Sequence, residues 1–419
     1  MSWRPRLRLS HDNRRIFYGM AFGEGAFGIY QTLWPLYIAE LGATPPQVGV
    51  VMGVVGISRL FTLIPSGILA DHIPPRAIMV VGRTLTALGM LLFAVANSWW
   101  QLILFGLVIS AGAIAFPTIL STIAAGAGEG PDRTRVFTLI NTVAPSTGLL
   151  ITPALGGLIA ATISLRAVFI VAGVFAAGAA LSFSTITPKP PPSKAESSAN
   201  YRTTLANRSI MSILLMEMVA IFALSVGIAL VPNYLQDVHH VSDGVIGVFG
   251  SIGAAGSISL GLIIHRIRRF QQPFNALFLS IGSVAVALLL LSVSGSTVIF
   301  ALAYLLRGGF FVTWTLFEAA LSVVTPAHLR SRTYALAEIM SGAGFAIGPF
   351  MSGWLYAVKP AMPLYAGLAL TIAILMCIPL AQRRFIRGTT AVMFRAANGD
   401  PVVDQVVGED TGGADPRQE

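Results

Sequence analysis

The sequence predicts an all-α polytopic membrane protein with twelve transmembrane helices in two six-helix bundles and with both termini in the cytoplasm. Three observations predict this fold class. The 419 residues are 55% hydrophobic and 11% charged, with a mean hydropathy of +0.76, which does not fit a soluble surface. Twelve apolar runs are long enough to cross about 30 Å of hydrocarbon. The positive charges lie almost entirely on one side of the resulting topology.

The apolar runs are the elements of this prediction. They exceed the roughly 9–11 residues of a β-barrel strand and lack its alternation, so we predict helices. The first run follows a basic segment, but it is too long for a signal peptide and carries Glu24, so we expect a retained helix. In chain order, runs 1 to 12 cover residues 16–39, 48–70, 77–96, 99–124, 135–161, 167–187, 209–235, 244–264, 274–294, 297–323, 333–357 and 363–382.

The distribution of Lys and Arg determines the predicted orientation. If run 1 leaves the cytoplasm, the outside connections hold only Arg166 and Lys359 of the 27 basic residues. This asymmetry follows the positive-inside rule. The net charge of +9 is therefore a topology signal, and we expect a lipid bilayer and no nucleic acid as partner. The single cysteine, Cys377, excludes an internal disulfide.

A polar segment divides the chain into two sets of six runs. Residues 188–208 read PKPPPSKAESSANYRTTLANR, a composition typical of a flexible linker. The predicted domains are a basic cytoplasmic N-terminus (1–15), an N-terminal six-helix bundle (16–187), a cytoplasmic linker (188–208), a C-terminal six-helix bundle (209–385) and a disordered acidic cytoplasmic tail (386–419).

The two halves of the chain resemble each other at an offset of about 194 to 198 residues. PLYIAEL after Trp34 parallels PNYLQDV after Val231. Likewise, DRTRVFTLINTVAPSTGLLITPALGG (132–157) parallels LRSRTYALAEIMSGAGFAIGPFMSG (329–353). An even number of helices in each half makes the repeats parallel, which is typical of transporter architecture.

The connection between runs 2 and 3 places charged and turn residues between two apolar stretches. It reads GILADHIPPR (67–76) and resembles the signature loop of the major facilitator superfamily, with a glycine, an aspartate four residues on and an arginine five further. Gly67, Asp71 and Arg76 match, whereas the other basic residues of the signature are replaced. The resemblance covers about residues 14–385. We expect Asp71 to hold helices 2 and 11 together at the cytoplasmic side in the outward-open state.

The resemblance implies a secondary transporter that works by alternating access. It implies no enzymatic activity, no bound cofactor and a proton gradient as the energy source. A glycine- and proline-rich pattern in run 5, with a fuller copy in run 11 around Gly348 and Pro349, resembles proton-coupled drug antiporters. We therefore expect a monomer in a bacterial cytoplasmic membrane that exports a hydrophobic or amphipathic small molecule. The alternatives are proton-coupled uptake of a sugar or organic anion, and a sensor or scaffold that has lost transport.

Ionisable residues inside the runs are the best candidates for site residues, because each costs at least about 2.5 kcal/mol at the bilayer centre. The resemblance places helices 1, 4, 7 and 10 around a central cavity. We expect Arg59, Arg83 and Glu338 to form structural or gating pairs instead. The predicted substrate-binding residues are Glu24, Gln31, Glu217, Arg307, Phe311, Trp314 and Glu318, and the predicted gating or structural residues are Gly67, Asp71, Arg76, Arg59, Glu338, Gly348 and Pro349.

Glu24 and Glu217 are the candidates for proton coupling. Each lies nine residues after an arginine, Arg15 or Arg208, which places both about 14 Å above the cytoplasmic surface. Desolvation raises the pKa of a buried carboxyl group, which allows proton exchange near neutral pH. The alternative for Glu24 is a permanent pair with Arg59 at a similar depth.

Run 10 carries four candidate residues at helical spacing. Arg307, Phe311, Trp314 and Glu318 are separated by four, three and four residues, which predicts a single helix face suited to an amphipathic ligand. The alternative is that Arg307 makes a fixed bond to run 7 or 11 and that the aromatic rings only pack. The six histidines are scattered, so we expect no metal site.

Overall fold

The computed structural model describes residues 9–114, 136, 138–187, 201–325 and 329–397. A π-helical turn (Leu139–Val143) leads into the sixth helix. In chain order the helices of these residues are α1 (His11–Gln31), α2 (Trp34–Glu40), α3 (Pro45–His72), α4 (Pro75–Ala94), α5 (Gln101–Ala111), α6 (Ala144–Thr162), α7 (Leu165–Ser184), α8 (Tyr201–Ala206), α9 (Arg208–Ile228), α10 (Val231–His239), α11 (Asp243–Arg266), α12 (Pro273–Val293), α13 (Thr297–Arg307), α14 (Gly309–Val324), α15 (Arg330–Val358) and α16 (Met362–Ala397).

Eight helical segments of the described residues are long and apolar enough to cross a membrane, by length and composition. They coincide with predicted runs 3, 5 to 10 and 12. Runs 1, 2, 4 and 11 fall in α1 with α2, in α3, in α5 and in α15, outside this set of eight; α5 has 11 residues. Large apolar side chains are exposed on the helices, for example Val174 at 62% and Leu181 at 69%. Such an exterior suits lipid, and the protein is a membrane-embedded helical protein.

Runs 1 and 7 are each interrupted next to a proline, so the continuous helices predicted there are corrected. Run 1 forms α1 and α2, with Pro35 in the first turn of α2. Run 7 forms α9 and α10, with Pro232 in the first turn of α10. Proline lacks the backbone N–H that a helix interior uses, so it favours a helix start at that point. The two interruptions occupy equivalent places in the two halves.

Run 10 is also interrupted, between α13 and α14 at Gly308. A Cβ at Gly309 would lie 2.5 Å from the Ser280 carbonyl oxygen, so α14 begins with its backbone against α12. The hydroxyl groups of α12 bond to the carbonyls at this interruption. Ser283 Oγ donates to the Leu306 carbonyl (3.0 Å), and Ser280 Oγ donates to the Gly309 carbonyl (2.7 Å).

Two predicted domain boundaries differ from the helices. The predicted linker contains α8 (Tyr201–Ala206), and Asn207 caps α9 by accepting from the Ser209 and Ile210 backbone N–H groups. The predicted disordered tail from residue 386 begins inside α16, which continues to Ala397. Residues 398–419 lie outside the described residues.

The first and second halves of the chain meet along two pairs of helices, α3 with α15 and α6 with α11. The contacts are closest at the end of the molecule where α2 stops, here called the Gly42 end. There a Cβ at Gly353 would lie 2.5 Å from the Pro45 carbonyl oxygen, and one at Gly157 would lie 2.7 Å from the Gly244 carbonyl oxygen. Glycines therefore allow the backbones to touch. Further along α11, a Cβ at Gly261 would meet no atom of the described residues within 4 Å.

Candidate functional site

Glu217 on α9 is fully buried, with 0% exposure, and neither of its carboxylate oxygens has a hydrogen-bond partner among the described residues. Glu318 of α14 and Glu338 of α15 are close enough to act on it electrostatically. The Ser341 hydroxyl is also near, but it donates to the Ala337 carbonyl (2.7 Å). Glu217, Glu318 and Glu338 form what we call the acidic cluster. It carries three carboxyl groups in one part of the second half.

Arg59 of α3 approaches the acidic cluster from the first half of the chain. Its Nη2 lies 3.8 Å from Glu338 Oε1, and the two side chains are 49% and 27% exposed. The pair is therefore partly exposed and joins α3 to α15. In this structure the ion pair of Arg59 is with Glu338, whereas the sequence left open a pair with Glu24.

Glu24 lies at the equivalent place on α1, but its surroundings differ from those of Glu217. It is half-buried, and Arg83 of α4 interacts with it electrostatically. A Cβ at Gly23 would lie 2.8 Å from Arg83 Cζ, so the guanidinium group rests against α1 beside Glu24. At the repeat offset of 194 to 198 residues, the positions equivalent to Arg83 are residues 277–281, which read LFLSI. Glu217 thus lacks the cation that accompanies Glu24.

A cavity of about 100 Å³ lies between α1, α6, α11 and the junction of α13 with α14. Three predicted substrate-binding residues line it: Gln31, Arg307 and Phe311. Phe311 is 40% exposed and presents an aromatic surface. Glycines at 250, 253 and 308 form much of the remaining wall, and this lets the helix backbones border the space directly.

Arg307 ends α13, and its guanidinium carbon lies 4.9 Å from the centre of the Tyr304 ring. Arg307 makes this cation–π contact with Tyr304. No carboxylate of the described residues lies within 4.0 Å of Arg307. Tyr304 is fully buried, and its hydroxyl has no hydrogen-bond partner in the described part of the chain. The residues that line the cavity therefore include Arg307, which has no carboxylate partner among the described residues, and Tyr304, whose buried hydroxyl has no hydrogen-bond partner among them.

Trp314 and Glu318 lie further along α14 and are not among the residues lining the cavity. Trp314 packs against Phe345 of α15, with ring centres 6.1 Å apart. Glu318 belongs to the acidic cluster. The single face predicted for run 10 is therefore divided between two places: Arg307 and Phe311 line the cavity, whereas Trp314 and Glu318, further along α14, lie beside α15 and in the acidic cluster.

A protein-family model described as Major Facilitator Superfamily matches residues 16–349. This chain belongs to that superfamily. Members of the superfamily are transporters, and the chain is accordingly a transporter and not an enzyme.

Two curated relatives and one solved structure are similar to this superfamily member. The quinolone resistance protein NorA of Staphylococcus aureus (strain MSSA476) is 22% identical over 356 residues, 83% of this chain and 90% of NorA. The inner membrane transport protein YajR of Escherichia coli (strain K12) is 31% identical over 91 residues, 22% of this chain and 20% of YajR, so the chain aligns with a fifth of that relative. A crystal structure of a variant of the nucleoside transporter NupG has a TM-score of 0.74 at 15% identity, covering 88% of this chain and 99% of that chain.

The predicted gating residues of this superfamily member lie on both sides of the contact between the halves. Gly348 packs against Ser225 of α9, and the Pro349 carbonyl faces Gly49 of α3. Arg76 is half-buried in the first turn of α4. The side-chain surroundings of Gly67 and Asp71 lie outside the described residues.

Some cavity residues are absent from the sequence-based prediction. Tyr304 precedes Arg307 by three residues, so helical spacing was an available signal for it. Thr32 directly follows Gln31, and neighbours in sequence do not share a helix face, so spacing gave no signal there. Ser257 also lines the cavity, but it lies among glycines and alanines on α11, where no local pattern marks it. Among the described residues, no group of three or more His, Cys, Asp or Glu side chains could hold a metal ion.

Proposed function

We propose that this superfamily member exports an amphipathic small molecule across a bacterial cytoplasmic membrane in exchange for protons. In this proposal a monomer with no bound cofactor works by alternating access. Twelve spans form two six-helix bundles, and both termini lie in the cytoplasm. The likeness to NorA over 83% of the chain supports a drug-like cargo, because the name of that relative refers to quinolone resistance.

The observation that carries the proposal is that Glu217 is buried and its carboxylate has no hydrogen-bond partner among the described residues. Removing an ionised carboxylate from water without a counter-ion costs several kcal/mol of hydration free energy. Binding a proton removes this cost. The neighbouring carboxyl groups of Glu318 and Glu338 also favour proton binding by Glu217, because like charges repel. Glu24, by contrast, has Arg83 beside it. We therefore assign the exchanged proton to Glu217.

The contacts between the halves support a conformation that opens to the cytoplasm. With the proposed orientation, the Gly42 end is exterior, and there α3 packs on α15 and α6 on α11 through glycines. Asn233 Nδ2 of α10 also donates to the Pro35 carbonyl of α2 (3.3 Å). The open space beside Gly261 then lies toward the cytoplasm. This is one of the two states that alternating access requires.

The test uses purified full-length protein in proteoliposomes that contain a pH-sensitive dye. A quinolone, a lipophilic amine and a neutral aromatic alcohol are added in turn, and substrate-driven proton movement is recorded. We expect at least one compound to move protons, and we expect Glu217→Gln to reduce that movement by about tenfold or more. Glu24→Gln should retain coupling, and Glu40→Gln, at an exposed position, is the matched control.

Two results would contradict the proposal. The first is that no compound moves protons through the wild-type protein. The second is that Glu217→Gln couples transport to protons as well as the wild type does, in which case Glu217 has a packing role.

A further inference from the structure

We infer that the cavity between α1, α6, α11 and the α13–α14 junction is a subsite for a small oxyanionic group, a carboxylate or a group of similar size and charge, on the transported molecule. The inference rests on the proposed function only in taking a small molecule as cargo. It adds a charge requirement that the proposed function does not contain.

Arg307 is the first reason. It lines the cavity, and its described interaction is the contact with the Tyr304 ring at 4.9 Å. A cation within a membrane protein is expensive without a counter-charge, and no carboxylate of the described residues lies within 4.0 Å of Arg307. A planar guanidinium group matches a carboxylate with two parallel hydrogen bonds. A bound oxyanion would therefore supply the missing counter-charge.

Tyr304 is the second and independent reason. It lines the same cavity, is 0% exposed, and its hydroxyl has no hydrogen-bond partner among the described residues. A buried hydroxyl group without a hydrogen-bond partner costs about 1–3 kcal/mol of free energy. A ligand oxygen that accepts a hydrogen bond from this hydroxyl would remove that cost. Gln31 lines the cavity as well and carries amide N–H donors. None of the described residues that line the space carries a carboxylate.

The size of the cavity limits what it can hold. Pockets that enclose a drug-sized molecule measure roughly 300–1,000 Å³, whereas this cavity measures about 100 Å³. It therefore accommodates one end of a ligand. Two parts of the wall are closely packed, because a Cβ at Gly250 would lie 2.5 Å from Thr32 Oγ1 and one at Gly308 would lie 2.5 Å from the Gly253 carbonyl oxygen. The exposed ring of Phe311 is available for the ligand's apolar body.

The experiment measures binding to the purified full-length protein in detergent by titration calorimetry. The probes share one aromatic body and differ in charge: 2-naphthylacetate, 2-naphthylethanol and 2-naphthylethylamine. We expect the carboxylate to bind about tenfold or more tightly than the alcohol. Arg307→Gln should abolish this preference, and Tyr304→Phe should reduce it about threefold to tenfold. Arg268→Gln, at an exposed position outside the cavity, should leave the preference unchanged.

Equal affinity for the carboxylate and the alcohol would overturn the inference, as would an unchanged preference in Arg307→Gln. If Arg307→Gln fails to fold, Arg307→Lys is measured instead. A lysine retains the charge but lacks the planar guanidinium group, so a reduced preference for the carboxylate supports the inference. An unchanged preference in Arg307→Lys overturns it. Proton movement driven by the amine or alcohol, without a carboxylate preference, would defeat this inference alone. A carboxylate preference in a protein that moves no protons would defeat the proposed function alone.

Discussion

At the scale of single residues, Ser280 contributes to the interrupted helix α13–α14. It is 0% exposed, donates to the Gly309 carbonyl at 2.7 Å and lies 2.9 Å from the Thr313 hydroxyl. We expect Ser280→Ala to destabilise the protein by about 1 kcal/mol, because both interactions are lost in a buried site. Thermal unfolding in detergent measures the change. Ser292→Ala, whose hydroxyl bonds within its own helix, is the control, and an unaltered melting temperature in Ser280→Ala would show that α12 does not hold the interruption.

Two glutamates illustrate how far residue patterns predict the site. Their equal distances from Arg15 and Arg208 predict equal depth, and the halves do place them on equivalent helices. The difference between Glu24 and Glu217 depends on Arg83, which approaches from α4. In the sequence, the only sign of this difference is that the equivalent residues of the second half, LFLSI (277–281), include no Arg or Lys. Predicting it requires the packing of α4 on α1, which local patterns do not provide.

At the scale of helices, α6 and α11 touch through glycines at the Gly42 end. A Cβ at Gly247 would lie 2.6 Å from the Gly157 backbone nitrogen and 2.7 Å from the Pro153 carbonyl oxygen. Neither backbone atom can move aside without separating the helices. We expect Gly247→Ala to reduce the population of the state that is closed at this end.

Maleimide labelling from outside the cell measures that population. The probe is a cysteine at Val48, which is 1% exposed, in a Cys377→Ser background. Gly247→Ala should raise its labelling rate several-fold, because the energy of a backbone clash shifts a two-state equilibrium. Gly261→Ala, where the added Cβ meets open space, should leave the rate at its starting value. Equal rates in the two variants would mean that the contact is not part of the closed state.

The positions of the helices were largely predictable, but their interruptions were not. Apolar runs located the helices because lipid requires a continuous apolar surface of sufficient length. Proline alone does not predict an interruption: Pro153 and Pro349 lie inside α6 and α15 without ending them, whereas Pro35 and Pro232 begin new helices. The interruption at Gly308 has no proline, and there hydroxyl groups of α12 donate to the carbonyls on either side of it, a tertiary contact that the local sequence does not show.

At the scale of the whole molecule, the ion pair between Arg59 and Glu338 joins the two halves. Both side chains are partly exposed, so we expect Arg59→Gln to change the free energy of unfolding by less than about 1 kcal/mol. Its effect on the balance between the two proposed states should be larger in proportion, because the proposed alternating access moves α3 relative to α15. The Val48 cysteine reports this balance, and the exchange Arg59→Glu with Glu338→Arg should restore the wild-type rate. A large drop in melting temperature for Arg59→Gln would instead assign the pair to folding.

The matching interruptions at Pro35 and Pro232 bear on the history of the chain. Both halves share this backbone feature, yet Arg59, Arg83 and Arg307 have no counterpart at the repeat offset. This combination is explained by duplication of an ancestral gene that encoded one half with its kinked first helix already in place, with these three arginines gained in one half or lost from the other afterwards. Relatives should accordingly retain both prolines while their arginines differ, and a set in which the prolines vary as freely as the charges would argue for two separate origins of the kink.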